Sequence, residues 1–311
     1  MPAKPVVLLS HQMLSPMQPA LEGQGYEVAR RWDLTPDQAA QVRVIVHAGE
    51  IALEPEFLAT LPKLGLIACV SVGYDGVNVP AARAAGIEVT HAKGLNADDV
   101  ADHALGLLIA GWRNIVAGDG VVRDGGWRDG ARMAPRAGLR SRKVGIMGLG
   151  AIGEAVAVRA QAFGMEIAWW GPRPKLDAAW PRAESLLALA EASDILVVAS
   201  RADESNRRAV DRAVIEAVGP RGMIVNVARG SIIDEDALIA ALKDGRLGRA
   251  GLDVFETEPT PAARWTDVPN VVLTPHTAGG TVDSIPRMIG QALENVRLFL
   301  AGEPVMSPIP A

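Results

Sequence analysis

Short runs of Val, Ile and Leu recur along the chain and alternate with Ala- and Leu-rich stretches of helical period. That alternation predicts βαβ units built around parallel sheet. The spacing predicts a first series of strands at Val6–Ser10, Val42–His47, Leu66–Val72 and Ile87–Thr90. A second series is predicted at Lys143–Leu149, Glu166–Gly171, Asp194–Ser200, Met223–Val227, Arg249–Leu252 and Val271–Thr274. Within it Ile195-Leu196-Val197-Val198 is apolar at consecutive positions, the pattern of a strand covered on both faces. Between the two series, Asp98–Val116 reads as one long helix with Asp98 and Asp99 at its positive end. Ala117–Arg142, with six glycines among many arginines, reads as a loop. Asp283–Ala301 reads as a second long helix, stopped by Gly302 and Pro304. Two such helices flanking the second series suggest a chain that leaves its first domain and later returns to it.

Composition narrows the picture without changing it. A chain of 311 residues is long enough for two domains, and 49% hydrophobic with 22% charged residues is an ordinary globular balance. The net charge of −5 and the lack of a basic arm argue against nucleic acid or an anionic membrane as partner. Cys69 is the one cysteine, which excludes an intramolecular disulfide or a cysteine-based metal cluster and fits a reducing, cytoplasmic location. It lies in an apolar strand and reads as core. The apolar run Val6–Leu9 is too short for a signal segment, and no later run reaches a membrane span. No His, Asp or Glu spacing suggests a metal site.

The strongest local signal is Gly148-Leu149-Gly150-Ala151-Ile152-Gly153, where a strand pattern runs into a helix pattern. Gly-x-Gly-x-x-Gly in that context is a dinucleotide fingerprint. Gly148 permits the tight turn, Gly150 lets a pyrophosphate approach the backbone, and Gly153 lets helix and strand pack closely. An NAD site also needs an acid at the end of the next strand to hold the ribose 2′-hydroxyl. Here that strand end reads Gly171-Pro172-Arg173-Pro174-Lys175. Two cations and no carboxylate suit a 2′-phosphate, so NADPH is favoured over NADH. The plainer reading of Arg173 and Lys175 is a pair of solvated loop cations; the missing acid argues against it.

Three further segments follow predicted strands and end in chemistry: Val227-Ala228-Arg229-Gly230, Asp253 through Glu258, and Pro275-His276. Ligands of open α/β sheets bind at such strand ends. A guanidinium can hold a carboxylate and polarise a neighbouring carbonyl, and an imidazolium can protonate the oxygen where charge develops. A carboxylate on the other ring nitrogen would orient the imidazole and favour its charged form; Glu258 is the candidate partner of His276. Taken singly, each residue is more often structural. Their joint position beside a cofactor fingerprint points instead to hydride transfer to a 2-oxo acid. His103, in an apolar helix, reads as a packing or interface residue. Trp127 and Trp265 fit substrate or partner contact no better than ordinary packing.

On these motifs the chain resembles the D-isomer-specific 2-hydroxyacid dehydrogenase family over nearly its whole length. His91-Ala92-Lys93-Gly94-Leu95-Asn96-Ala97 is similar to the NADP-preferring glyoxylate/hydroxypyruvate reductase branch. The resemblance implies a flavodoxin-like α/β substrate domain, residues 1–96 plus 283–311, with a Rossmann-type doubly wound parallel sheet domain, residues 97–282, inserted in it. It implies Arg229, Glu258 and His276 as catalytic residues, and Val72 and Gly73, with Arg229, as the substrate carboxylate site. It implies NADPH contacts from Gly148, Leu149, Gly150, Ala151, Ile152, Gly153, Gly171, Pro172, Arg173, Lys175, Val227, Ala228, Asp253 and Gly279, with Asp253 on the nicotinamide carboxamide. A small 2-oxo or 2-hydroxy acid is the implied substrate and a homodimer the implied assembly, with Ala117–Arg142 the place to look for its contacts. Ala151 departs from the arginine common between the second and third glycines. Alternatives are an aromatic or sugar 2-oxo acid, such as phenylpyruvate or 2-ketogluconate, or a non-catalytic NADP(H)-sensing protein.

Overall fold

The computed structural model describes residues 4–128 and 133–310. The chain divides into two compact units: residues 1–96 with 282–311, and residues 97–281. The first contains β1 (Val6–Leu9), β2 (Glu27–Arg30), β3 (Val42–His47), β4 (Leu66–Cys69) and β5 (Glu88–Thr90). They form a parallel sheet in the order β2-β1-β3-β4-β5, the flavodoxin-like order, with its switch point between β1 and β3. The second contains β6 (Lys143–Met147), β7 (Glu166–Trp170), β8 (Ile195–Val198), β9 (Met223–Asn226), β10 (Arg249–Leu252) and β11 (Val271–Leu273). These pair in parallel in the order β11-β10-β9-β8-β6-β7, a Rossmann-type doubly wound sheet with its switch point between β6 and β8.

Period two explains how each sheet buries both faces. In β8, Leu196 and Val198 enter one core while Ile195 and Val197 enter the other. In β1, Val6 and Leu8 face one side and Val7 and Leu9 the opposite one. Cys69 is buried in β4, and burial pushes its thiol up to about 12, so it is core and not a nucleophile.

Three elements differ from the sequence reading. β2 was not predicted because only Ala29 of Glu27–Arg30 is buried; an edge strand with polar side chains shows no apolar alternation. The predicted helix Asp98–Val116 is two helices, Ala97–Trp112 and Ile115–Arg123. Asn114 adopts φ +57° between them, a conformation that asparagine tolerates better than most residues and that no helix continues through. The stretch read as a loop is therefore helical as far as Arg123, with Gly118 and Gly120 inside the helix. Residues 129–132 of that stretch lie outside the described residues. Among the described residues no single helix is long and apolar enough to cross a membrane.

Candidate active site

The glycine-rich turn has the shape its sequence requires. Gly148 adopts φ +96°, and a Cβ there would lie 2.5 Å from the Ser200 Cα. A Cβ on Gly153 would lie 2.0 Å from the Gly148 carbonyl oxygen, which ties strand end to helix. One on Gly150 would meet nothing within 4 Å. Gly150 caps the helix Ala151–Ala162 without a side-chain hydrogen bond, so the first-turn N–H groups have no side-chain acceptor. The Ser200 hydroxyl, on the facing turn after β8, is buried without a hydrogen-bond partner. Room, unsatisfied donors and close packing together fit a dinucleotide pyrophosphate.

The turn after β7 is looser. Arg173 is exposed and makes no hydrogen bond or ion pair among the described residues. Lys175 reaches back to Glu154, on the first turn of Ala151–Ala162, with Nζ 2.6 Å from Oε1. Arg182, a cation the sequence reading passed over, donates to the Gly171 carbonyl at 2.7 Å from Nη2. Nothing in its local sequence signals this, because a bridge between Trp169 and Arg182 brings it to the strand end.

At the other end of the same sheet, side chains are fixed by buried polar groups. Asn226 is 1% exposed; its amide accepts from Ala228 N–H at 3.0 Å and donates to the Arg229 carbonyl at 2.9 Å, shaping the turn that carries Arg229. A Cβ on Gly230 would fall 1.8 Å from the Phe255 carbonyl carbon, so the Arg229 turn packs backbone to backbone on the loop carrying Glu258. Glu258 Oε1 accepts from Phe255 N–H at 2.9 Å and its Oε2 lies 2.6 Å from His276 Nδ1. Burial alone would push this carboxyl up, but the bonds from His276 and Phe255 and the charges of His276 and Arg229 hold it below its ordinary value.

Asp253, 1% exposed, organises the loop bearing His276. Its carboxylate accepts from Thr274 Oγ1 at 2.6 Å, Thr277 N–H at 2.9 Å and Ala278 N–H at 2.9 Å, and its carbonyl accepts from His276 N–H at 2.8 Å. His276 itself sits at φ +52°. Its left-handed conformation is maintained by that surrounding set of bonds. His103 joins the group, with Nε2 2.9 Å from Thr274 Oγ1 and 3.4 Å from Asp253 Oδ1. Apolar periodicity alone gave no sign of this. Trp265 is packed, edge to face on Phe255 at 5.5 Å, whereas Trp127 is 72% exposed.

In the other unit, Val72 and Gly73 lie on the turn after β4. The N–H groups of these two residues have no hydrogen-bond partner among the described residues. Consecutive free backbone donors of this kind suit an anion.

Comparison with known proteins identifies the family. Residues 105–278 match the family described as "D-isomer specific 2-hydroxyacid dehydrogenase, NAD binding domain". A glyoxylate/hydroxypyruvate reductase of Arabidopsis thaliana is 37% identical over 274 residues, 88% of this chain and 85% of its own length. Hydroxyphenylpyruvate reductase of Plectranthus scutellarioides is 36% identical, covering 96% of this chain and 97% of its own. The structure of an NADPH-dependent glyoxylate/hydroxypyruvate reductase from Sinorhizobium meliloti, in complex with NADP and malonate, superposes with a TM-score of 0.91 at 33% identity, covering 99% of this chain and 97% of that one. The chain belongs to the D-isomer-specific 2-hydroxyacid dehydrogenases, a family of oxidoreductases.

Proposed function

We propose that this enzyme reduces a small 2-oxo acid of the glyoxylate or hydroxypyruvate type to the D-2-hydroxy acid, preferring NADPH to NADH. The observation that carries the reading is the 2.6 Å contact between His276 and Glu258, beside the turn that bears Arg229. NADPH supplies the hydride when bound. Arg229 holds the substrate carboxylate and polarises the carbonyl oxygen. In the other unit, the Val72 and Gly73 N–H groups suit a carboxylate as well. With Nδ1 of His276 engaged by Glu258, Nε2 is the atom that delivers the proton to the nascent alkoxide oxygen. Glu258 fixes the ring and favours its charged form. Gly148 to Gly153 receive the pyrophosphate, and Arg173, with Lys175 once released from Glu154, receives the 2′-phosphate. The NADP in the Sinorhizobium complex supports that cofactor choice, and the malonate there supports a carboxylate ligand.

A second reading keeps the site and changes the substrate side chain. It is favoured by relatives named hydroxyphenylpyruvate reductase and 2-ketogluconate reductase, the latter from Gluconobacter oxydans at 35% identity. Consumption of NADPH, and separately of NADH, with glyoxylate, hydroxypyruvate, phenylpyruvate and 2-ketogluconate tests both readings. Highest kcat/KM with glyoxylate or hydroxypyruvate and NADPH is expected. No turnover of any acid, with nucleotide binding intact, would leave only a nucleotide-sensing protein. The helix Ile115–Arg123 buries none of its residues and exposes Ile115, Val116 and Val122, with Trp127 just beyond, an apolar surface suited to a second copy in a homodimer.

A further inference from the structure

The turn after β4 is tied down one peptide group at a time. The Ser71 carbonyl accepts from Ala92 N–H at 3.0 Å, the Val72 carbonyl lies 2.9 Å from His91 Nδ1, and the Gly73 carbonyl accepts from Ser71 Oγ at 2.7 Å. A carbonyl oxygen can only accept, so His91 carries its proton on Nδ1. A trans peptide is planar, with its N–H pointing opposite to its C=O. Anchoring the Ser71 and Val72 oxygens therefore aims the Val72 and Gly73 N–H groups the other way, and these are the two without partners among the described residues.

The anchors are themselves held. Ser71 Oγ accepts from Gly49 N–H at 3.0 Å, and a Cβ on Gly49 would lie 2.2 Å from the Gly73 oxygen, so the turn after β3 presses directly on this one. The His91 ring meets Tyr74 edge to face at 5.1 Å. Its backbone is fixed by Gln291 Nε2, which donates to the His91 carbonyl at 3.0 Å, and by its own N–H, which donates to the Ser307 carbonyl at 3.3 Å. The segment that returns after residue 281 thus helps to anchor the turn.

We infer that His91 and Ser71 are positioning residues for the substrate carboxylate: His91, by holding the Val72 carbonyl, keeps the Gly73 N–H aimed at the anion, and Ser71, by holding the Gly73 carbonyl, fixes the next peptide and so the far side of Gly73, while the Ala92 N–H holds the peptide that carries the Val72 N–H. Neither side chain touches substrate. The assignment rests on the carboxylate role given to Val72 and Gly73 above. Its consequence is selective, because a turn that wanders weakens carboxylate binding while leaving proton delivery and cofactor binding alone.

The test compares wild type with His91→Leu, His91→Asn and Ser71→Ala. The Asn amide nitrogen replaces Nδ1 as donor, so His91→Asn restores the bond without the ring. His91→Leu and Ser71→Ala are expected to raise KM for glyoxylate about tenfold, the loss of one preorganised hydrogen bond, with kcat and the KM for NADPH within about twofold. His91→Asn is expected to recover most of the loss. An unchanged glyoxylate KM in both variants, or kcat falling as far as KM rises, would overturn the assignment. Calorimetric titration with oxalate in the presence of NADP separates this inference from the reductase reading. If wild type reduces no 2-oxo acid but binds oxalate more tightly than His91→Leu does, the reductase reading falls and the positioning role stands. Equal oxalate affinity, or none in either protein, overturns the positioning role.

Discussion

Two ends of one sheet carry candidate function in the nucleotide unit, and they are held very differently. The His276 loop after β11 is pinned by Asp253, a 1% exposed carboxylate taking two backbone N–H groups and a hydroxyl. The turn after β7 presents Arg173 without a partner among the described residues and Lys175 in an exposed ion pair. The difference follows from what each end has to do. Proton delivery depends on reacting atoms being placed to a fraction of an ångström, so the loop is over-determined by buried hydrogen bonds. Attraction of a phosphate dianion falls off gently with distance, so flexible cations on an exposed turn suffice. The pinned end should therefore respond to substitution in both rate and stability. The loose end should respond in cofactor affinity alone.

The largest effect is expected at the pinned end. His276→Gln removes the proton donor and should lower kcat by about 100- to 10,000-fold at unchanged NADPH affinity, measured by steady-state kinetics and nucleotide fluorescence titration. Near-wild-type turnover would remove His276 from the mechanism. Glu258→Gln should cost less, about 100-fold in kcat, because the ring keeps a hydrogen-bond partner and loses the charge. It also has a pH signature. The folded-state carboxyl titrates below its ordinary value, so its stabilising contribution is present above the unfolded pKa and is lost as pH falls through the lower folded value. The Gln variant should lack that portion of the acid unfolding slope, read from denaturant titrations at successive pH. Asp253→Ala should reduce stability by about 2–3 kcal/mol, since it leaves the Ala278 N–H unpaired in the interior and removes the bonds that hold Thr274 and the Thr277 N–H, and thermal unfolding measures the loss. A stable Asp253→Ala protein with normal kcat would show that the stiffness of the His276 loop is not used.

How much of this was readable in the sequence divides along similar lines. Strands buried on both faces, such as Ile195–Val198, announce themselves because nothing polar interrupts them. The glycine fingerprint is equally legible, since Gly148 and Gly153 are dictated by close backbone contacts that a side chain would block. Arg229, Glu258 and His276 could be marked because each follows a strand whose end the apolar run had already placed. The polar scaffold behind them left no such trace. Asn226 acts by shaping the turn just after it, which apolar spacing does not register, and His103 acts through a partner far along the chain, since single-residue spacing carries no record of a bond from residue 103 to residue 274. The break at Asn114 was hidden because Ile115 and Val116 continue the apolar count while exposing their side chains.

The loose end gives the smaller effects. Arg173→Ala should raise the KM for NADPH about tenfold, leave that for NADH nearly unchanged and shift stability by less than about 0.5 kcal/mol, because the side chain makes no contact that folding relies on. Equal effects on the two cofactors, or a measurable loss of stability, would mean that this turn is structural after all. Lys175→Ala should do less. In the free protein its ammonium is shared with Glu154, and an ion pair with both partners 41–48% exposed contributes little to folding. For Lys175 to reach a phosphate it must leave that carboxylate, so its net gain on cofactor binding is smaller than that of an unpaired cation. Removing Glu154 tests this directly: Glu154→Gln frees the lysine and should lower the KM for NADPH by about two- to threefold, and adding Lys175→Ala should abolish that gain. If Glu154→Gln leaves NADPH affinity unchanged, Lys175 plays no part in cofactor choice and Arg173 alone separates the two nucleotides.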